Sequence, residues 1–113
     1  MDFSQDMVRG SVVPIVLAML REKPMYGYEL VKVVNARTNG LLEWREGTLY
    51  PTLHRLEASG LVSSKWMDAP GTEARKRKYY AITRKGQSEL VRRTDELRQF
   101  STSVNACLLG GQP

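Results

Sequence analysis

The hydrophobic period of this chain changes at Gly60 and again at Thr83. Before Gly60 apolar residues recur at three and four positions, as on one side of a helix. After Gly60, over Leu61 to Met67 and again over Lys76 to Ile82, the period is two, as on a strand. After Thr83, Leu90, Leu97 and Val104 recur every seventh residue. A segment written at one period does not pack well at another. The order of element types follows: helices first, a strand pair next, then one long helix of a different kind.

The first part predicts three helices. Residues 4–22 form one, with Val12, Val13, Ile15, Val16, Leu17, Met19 and Leu20 apolar on nearly every side. Such a helix needs cover on more than one face. Pro14 either kinks it or marks its start. Tyr26 to Arg37 form a second, with Leu30, Val33 and Val34 at helical spacing, and Gly27 suits close approach to a neighbouring helix. Residues 47–59 form a third. Leu49, Leu53 and Leu56 face inward, Thr48 serves as N-cap with Pro51 in the first turn, and Gly60 supplies a left-handed stop. Strands follow at 61–67 and 76–82, joined by a loop at 68–75 bent at Pro70-Gly71. Thr83 caps a last helix over 84–108, and 110–113 reads as a tail. Phe100 and Cys107 lie three residues after Leu97 and Val104, which completes a narrow seam of the kind that pairs helices.

Charge narrows the partners. The net charge is +5. Residues 1–60 are balanced, with seven basic and seven acidic side chains, whereas residues 61–113 hold ten basic and five acidic. Six basic residues and no acidic one lie between Arg75 and Lys85. A local surplus of this kind suits a polyanion. The uncharged apolar run Gly10 to Leu20 is far shorter than the roughly 20 apolar residues of a membrane span, so no membrane partner is expected. With one cysteine and no secretory signal, a reducing cytoplasm is the expected location. His54 and Cys107 are the sole histidine and cysteine. Neither has a companion at metal-ligand or catalytic spacing, so no enzyme activity, metal or cofactor is expected.

Three helices and a hairpin make a winged helix-turn-helix, here assigned to residues 1–83, with a dimerisation helix at 84–109. The expected fold is mainly α with a small two-stranded β-hairpin. In that architecture the second helix of the helix-turn-helix pair, residues 47–59, enters the DNA major groove, and the hairpin reaches the adjacent backbone. Pro24-Met-Tyr-Gly-Tyr-Glu-Leu30, Gly47-Thr-Leu-Tyr-Pro-Thr-Leu-His-Arg-Leu-Glu57, Gly60-Leu61, Trp66, and Arg77-Lys-Tyr-Tyr-Ala-Ile-Thr83 with Gly86 resemble the PadR family of bacterial transcriptional regulators. The short C-terminus resembles the subgroup with a single long helix after the winged helix. The resemblance implies a homodimeric DNA-binding repressor without a cofactor, released in some members by a small molecule.

Candidate site residues follow. Thr48, Tyr50, Thr52 and His54 are expected to face DNA, as hydroxyl-rich side chains suit phosphates and base edges. The alternative for Tyr50 and His54 is packing on the preceding turn. Arg75, Lys76 and Arg77 are expected to meet DNA phosphates from the loop end of the wing, with Trp66, Tyr79 and Tyr80 packing the hairpin. Val12, Ile15, Met19, Leu90, Leu97, Phe100, Val104 and Cys107 are the expected two-fold contact, which would present two recognition helices to an inverted-repeat operator. In multidrug-binding members of the resembling family a flat ligand stacks on an aromatic side chain of the last helix. The matching position here is Leu97, which cannot stack. Leu97, Phe100 and Arg93 remain effector candidates, with Arg9 a second cation for an acidic ligand. A rival reading is a winged-helix module that docks a protein without sequence-specific DNA binding. The basic wing weighs against it, because protein-docking faces carry exposed apolar anchors.

Overall fold

The computed structural model describes residues 3–110, the side chains of 72–74 excepted. Residues 1–2, and 111–113 of the tail expected at 110–113, lie outside the described residues. The element order is α1 (Gln5–Glu22), β1 (Met25–Tyr26), α2 (Gly27–Arg37), α3 (Glu46–Ala58), β2 (Val62–Ala69), β3 (Thr72–Ile82) and α4 (Arg84–Leu108). Mostly helical, the chain carries one small antiparallel sheet and ends on a long helix.

Local chemistry explains the ends of α1. The Ser4 side chain accepts the Met7 amide at 3.3 Å and caps the start. Pro14 lies inside the helix. At the other end Lys23 is extended, because the ring of Pro24 disfavours a helical residue before it. The next two residues form β1, a short strand not anticipated from the sequence. Met25 pairs with Tyr80 and Tyr26 with Tyr79, so the sheet has three strands in the order β1-β3-β2 rather than two. Two residues are too few to show a period, and partner strand β3 alone defines them.

The hairpin is also longer and tighter than expected. Ala69 pairs with Thr72 across Pro70-Gly71, after a register shift at Asp68/Ala69. Gly71 adopts φ +77°, which a glycine accepts without strain. The segment 68–75, read as loop, is therefore mostly strand.

One core joins these parts. Val16 and Leu17 of α1, Leu30 of α2 and Leu53 of α3 have no exposed surface, and Tyr80 of β3 closes the sheet side at 1%. Val12, Met19 and Leu90, expected at a two-fold contact, are buried in this same core at 3%, 8% and 2% exposure. The reason is that α1 is sandwiched by its own chain: it touches α3, β3 and α4. Those three side chains are taken up before any second copy arrives.

The start of α4 is tied to the end of α3. Thr83 Oγ1 accepts the Gly86 amide at 3.0 Å, and its hydroxyl proton is shared between the carbonyls of Gly60 and Leu61 at 2.7 and 3.0 Å. Lys85 Nζ donates to the Ser59 carbonyl at 2.8 Å. Beyond Leu90 the helix runs out of cover. Leu97 is 50% exposed, Phe100 66% and Leu108 75%. The radius of gyration is 16.2 Å, against about 13 Å for a compact domain of this length. A 25-residue helix spans about 37 Å, and its second half projects from the globule.

Candidate nucleic-acid interface

α3 starts one residue earlier than expected and is capped differently. Arg45, in an extended conformation, is the N-cap and makes no side-chain capping bond. The amides of Thr48 and Leu49 both donate to the Arg45 carbonyl at 3.1 Å. Thr48 is therefore within the first turn rather than at its cap, and Pro51 is interior. The bond that Pro51 lacks is the one to the Gly47 carbonyl, on a side of the helix open to solvent.

Four residues of α3 are buried: Leu49, Thr52, Leu53 and Leu56. Thr52 thus leaves the set of outward residues. It sits three after Leu49 and four before Leu56, inside the apolar stripe, and its polarity disguised that position. Its Oγ1 donates to the Thr48 carbonyl at 3.3 Å and accepts from Arg55 at 3.2 Å, so the burial leaves the hydroxyl paired. The exposed residues are Gly47, Thr48, Tyr50, Pro51, His54, Arg55 and Ala58, with Arg45 and Glu46 at the N-terminal end. Arg45 and Arg55 were not among the residues expected to face DNA, although Arg55 lies on the outer side by its spacing from Leu49, Leu53 and Leu56.

Tyr50 lies at the flank. It is 37% exposed, and its ring lies over Gly27 at the start of α2. A Cβ on Gly27 would come within 2.6 Å of the Tyr50 hydroxyl. The expected close approach at Gly27 is thus a contact between α2 and α3. Burial, and after it the Glu46 carboxylate, push the Tyr50 phenol above its ordinary pKa. The hydroxyl stays protonated at neutral pH and can donate. The connection from α2 to α3 is held by Asn35. Its side chain accepts the Trp44 amide at 2.8 Å and donates to the Trp44 carbonyl at 3.3 Å.

The basic residues of the wing are strand residues. Arg75 is four positions beyond Gly71, or roughly 13 Å along β3, so the basic run lies on the shaft of the hairpin and not at its loop end. Arg75 and Lys76 are exposed, and Lys76 Nζ is 3.8 Å from Asp68. Arg77 is half-buried with its guanidinium 4.3 Å from the centre of the Tyr26 ring. Tyr26 in turn meets Tyr79 edge-on, with centroids 5.4 Å apart. This stack fixes Arg77 along the sheet. Tyr80 is core and Tyr79 half-buried, as hairpin packing requires, but Trp66 is 62% exposed and does not pack.

The effector candidates separate. Leu97, Phe100 and Arg93 line a cavity of about 560 Å³ between α1 and α4, with Met7 and Pro14 opposite. Arg93 Nε donates to Glu89 at 3.0 Å. Arg9 lines another cavity with Arg45 and Thr48, and pairs at 3.3 Å with Asp6, itself at the edge of the Arg93 cavity. Ile15 and Val104 are half-buried and Cys107 is exposed. Among the described residues no cluster of His, Cys, Asp or Glu could hold a metal, and no helix is long and apolar enough to cross a membrane.

Three helices, the last with one buried and one open side, followed by a basic antiparallel hairpin, define a winged-helix transcriptional regulator, for which DNA is the partner. The chain belongs to the transcriptional regulator PadR-like family, whose model matches residues 16–92. A transcriptional regulator from Clostridium thermocellum superposes with a TM-score of 0.82 at 32% identity, covering 91% of this chain and 95% of that one. A PadR family transcriptional regulator from Eggerthella lenta gives 0.80 at 33%, covering 91% and 86%. Transcriptional regulator Rv3488 of Mycobacterium tuberculosis is 42% identical over 66 residues, which span 58% of this chain and 55% of that protein.

Proposed function

We propose that the chain is a homodimeric repressor acting in the cytoplasm on an inverted-repeat operator. The observation that carries the dimer is the uncovered strip on α4. Leu97 and Phe100 remain open at 50% and 66% on a helix that projects from its own globule. Pairing α4 with its mate, beside Ile15 and Val104, removes that apolar surface from water and spaces two α3 helices along one duplex. Repression is the regulatory sense that the resemblance implies. The cavity between α1 and α4 is the place for a small effector, since a ligand there would alter the dimer angle and with it the half-site spacing. Selection from random-sequence duplexes, sequencing of the retained pool and a promoter reporter test the reading. A pool without paired half-sites, or a reporter that rises when the protein is supplied, would overturn it.

The DNA surface is assigned to Thr48, Tyr50, His54 and Arg55 of α3, with Arg75, Lys76 and the edge of Arg77 on the wing. Arg75→Ala with Lys76→Ala should weaken all duplexes about equally and lower the salt slope by roughly one to two units. Unchanged affinity from low to high salt would remove the wing from the interface.

Tyr50→Ala should cost about 1–3 kcal/mol of operator binding. It should also cost about 1 kcal/mol of stability, because the ring packs on Gly27. Tyr50→Phe keeps that packing and should melt like the parent, so any binding loss it shows belongs to the hydroxyl. Fluorescence anisotropy and thermal melts of the two variants separate these contributions.

A further inference from the structure

We propose that Trp66 is a DNA-contacting residue, its indole resting on the sugar edge of the minor groove beside the segment taken by α3. This rests on the DNA-binding reading above and adds a contact that the basic residues do not supply. On β2, Val62, Ser64, Trp66 and Asp68 share one face by strand alternation. Val62 is buried in the core, and the Ser64 hydroxyl bonds to the Glu57 carboxylate of α3. That face is therefore the one turned toward the recognition helix. Two positions further on, the core has ended and Trp66 stands 62% exposed. Directly across the hairpin is Lys78, and diagonally Lys76.

The surroundings select the occupant. The near neighbours of the indole on this face are Lys76, Lys78 and Asp68, with Tyr80 on the other diagonal buried in the core, so that among the described residues here the indole is the one large exposed apolar side chain; Met67 points to the opposite face. Lys76 lies 3.8 Å from Asp68 and Lys78 3.7 Å from Glu57, at distances and exposures where phosphates can take the lysines over. One apolar wedge between two cations matches a groove edge, where sugars present carbon and the flanking phosphates present charge. A protein partner would call for a cluster of apolar anchors instead.

The chain has two tryptophans, and Trp44 is buried at 4% exposure. Full-length protein labelled with 5-fluorotryptophan should therefore give two fluorine resonances, with Trp66→Phe identifying one of them. On titration with a duplex from the selected pool, the Trp66 signal should shift and lose access to a soluble quencher, while the Trp44 signal holds still. Trp66→Ala should bind the same duplex about tenfold more weakly, the size of one aromatic contact. Its salt slope should equal the parent's, because losing an apolar contact releases no counterions; Trp66→Phe should recover most of the affinity. Binding seen by anisotropy with an unmoved Trp66 resonance would overturn the assignment and leave the DNA reading standing. A Trp66 resonance already shielded without DNA would give the indole to a contact between copies. No duplex bound at all would remove both readings.

Discussion

A Gly86→Ala chain should lose about 3 kcal/mol of stability, near the upper end of what an overpacked site costs. A Cβ at this position would lie 2.1 Å from the Leu61 carbonyl oxygen and 2.8 Å from Ile82 Cγ1. A carbonyl cannot swing aside as a lysine tip can. This one also accepts the Thr83 amide at 3.1 Å, so moving it loosens the joint between α3, the hairpin and α4. For a domain of this size the melting midpoint should fall by about 10 °C. Gly47→Ala provides the contrast. It is helical with open space where its Cβ would be, so alanine there should stabilise by about 0.5–1 kcal/mol. Thermal melts of both variants at one protein concentration decide it. A Gly86→Ala protein that melts with the parent would refute the close joint.

Leu97→Glu should break the assembly without unfolding the protomer. Within a single chain Leu97 is half open, so a carboxylate there stays hydrated and α4 keeps its helix. In the proposed dimer two such carboxylates would meet in a dry interface, at a cost of several kcal/mol per unpaired charge. Sedimentation over a dilution series should show a shift to monomer, with helical circular dichroism retained. Operator binding should collapse although no DNA-facing residue has changed, because half-site spacing is a property of the dimer. Leu97→Met keeps volume and apolarity and should cost less than about 1.5 kcal/mol. A Leu97→Glu protein that remains a tight dimer with intact operator affinity would remove α4 as the two-fold contact.

Much of the fold was legible because the signals are local. Thr83 caps its own helix, the left-handed residue Gly60 follows the end of α3, and Lys23-Pro24 ends α1. Each acts within three residues of itself, so a linear reading reaches it. The hairpin was legible in kind but not in length, since its register depends on pairing Ala69 with Thr72. β1 was not legible at all, because a two-residue strand exists only by virtue of β3.

The candidate interface divides along the same line. That Thr48 and His54 point outward followed from helical spacing against Leu49, Leu53 and Leu56. Thr52 was misplaced because its hydroxyl reads as polar, although its partners are the Thr48 carbonyl and Arg55 rather than water. Trp66 was misplaced in the opposite sense: an aromatic in a hairpin reads as packing, but among the described residues nothing covers it and it is 62% exposed.

By itself, then, the sequence determined the order of the helices and the hairpin, the cap of α4 and the leucine stripe of α3, since these depend on neighbours along the chain. The tertiary structure alone decided which apolar surface was already covered. It took Val12, Met19 and Leu90 into the core and left Leu97, Phe100 and Trp66 open. Burial is a property of what arrives from a distance, and no local pattern states what that will be.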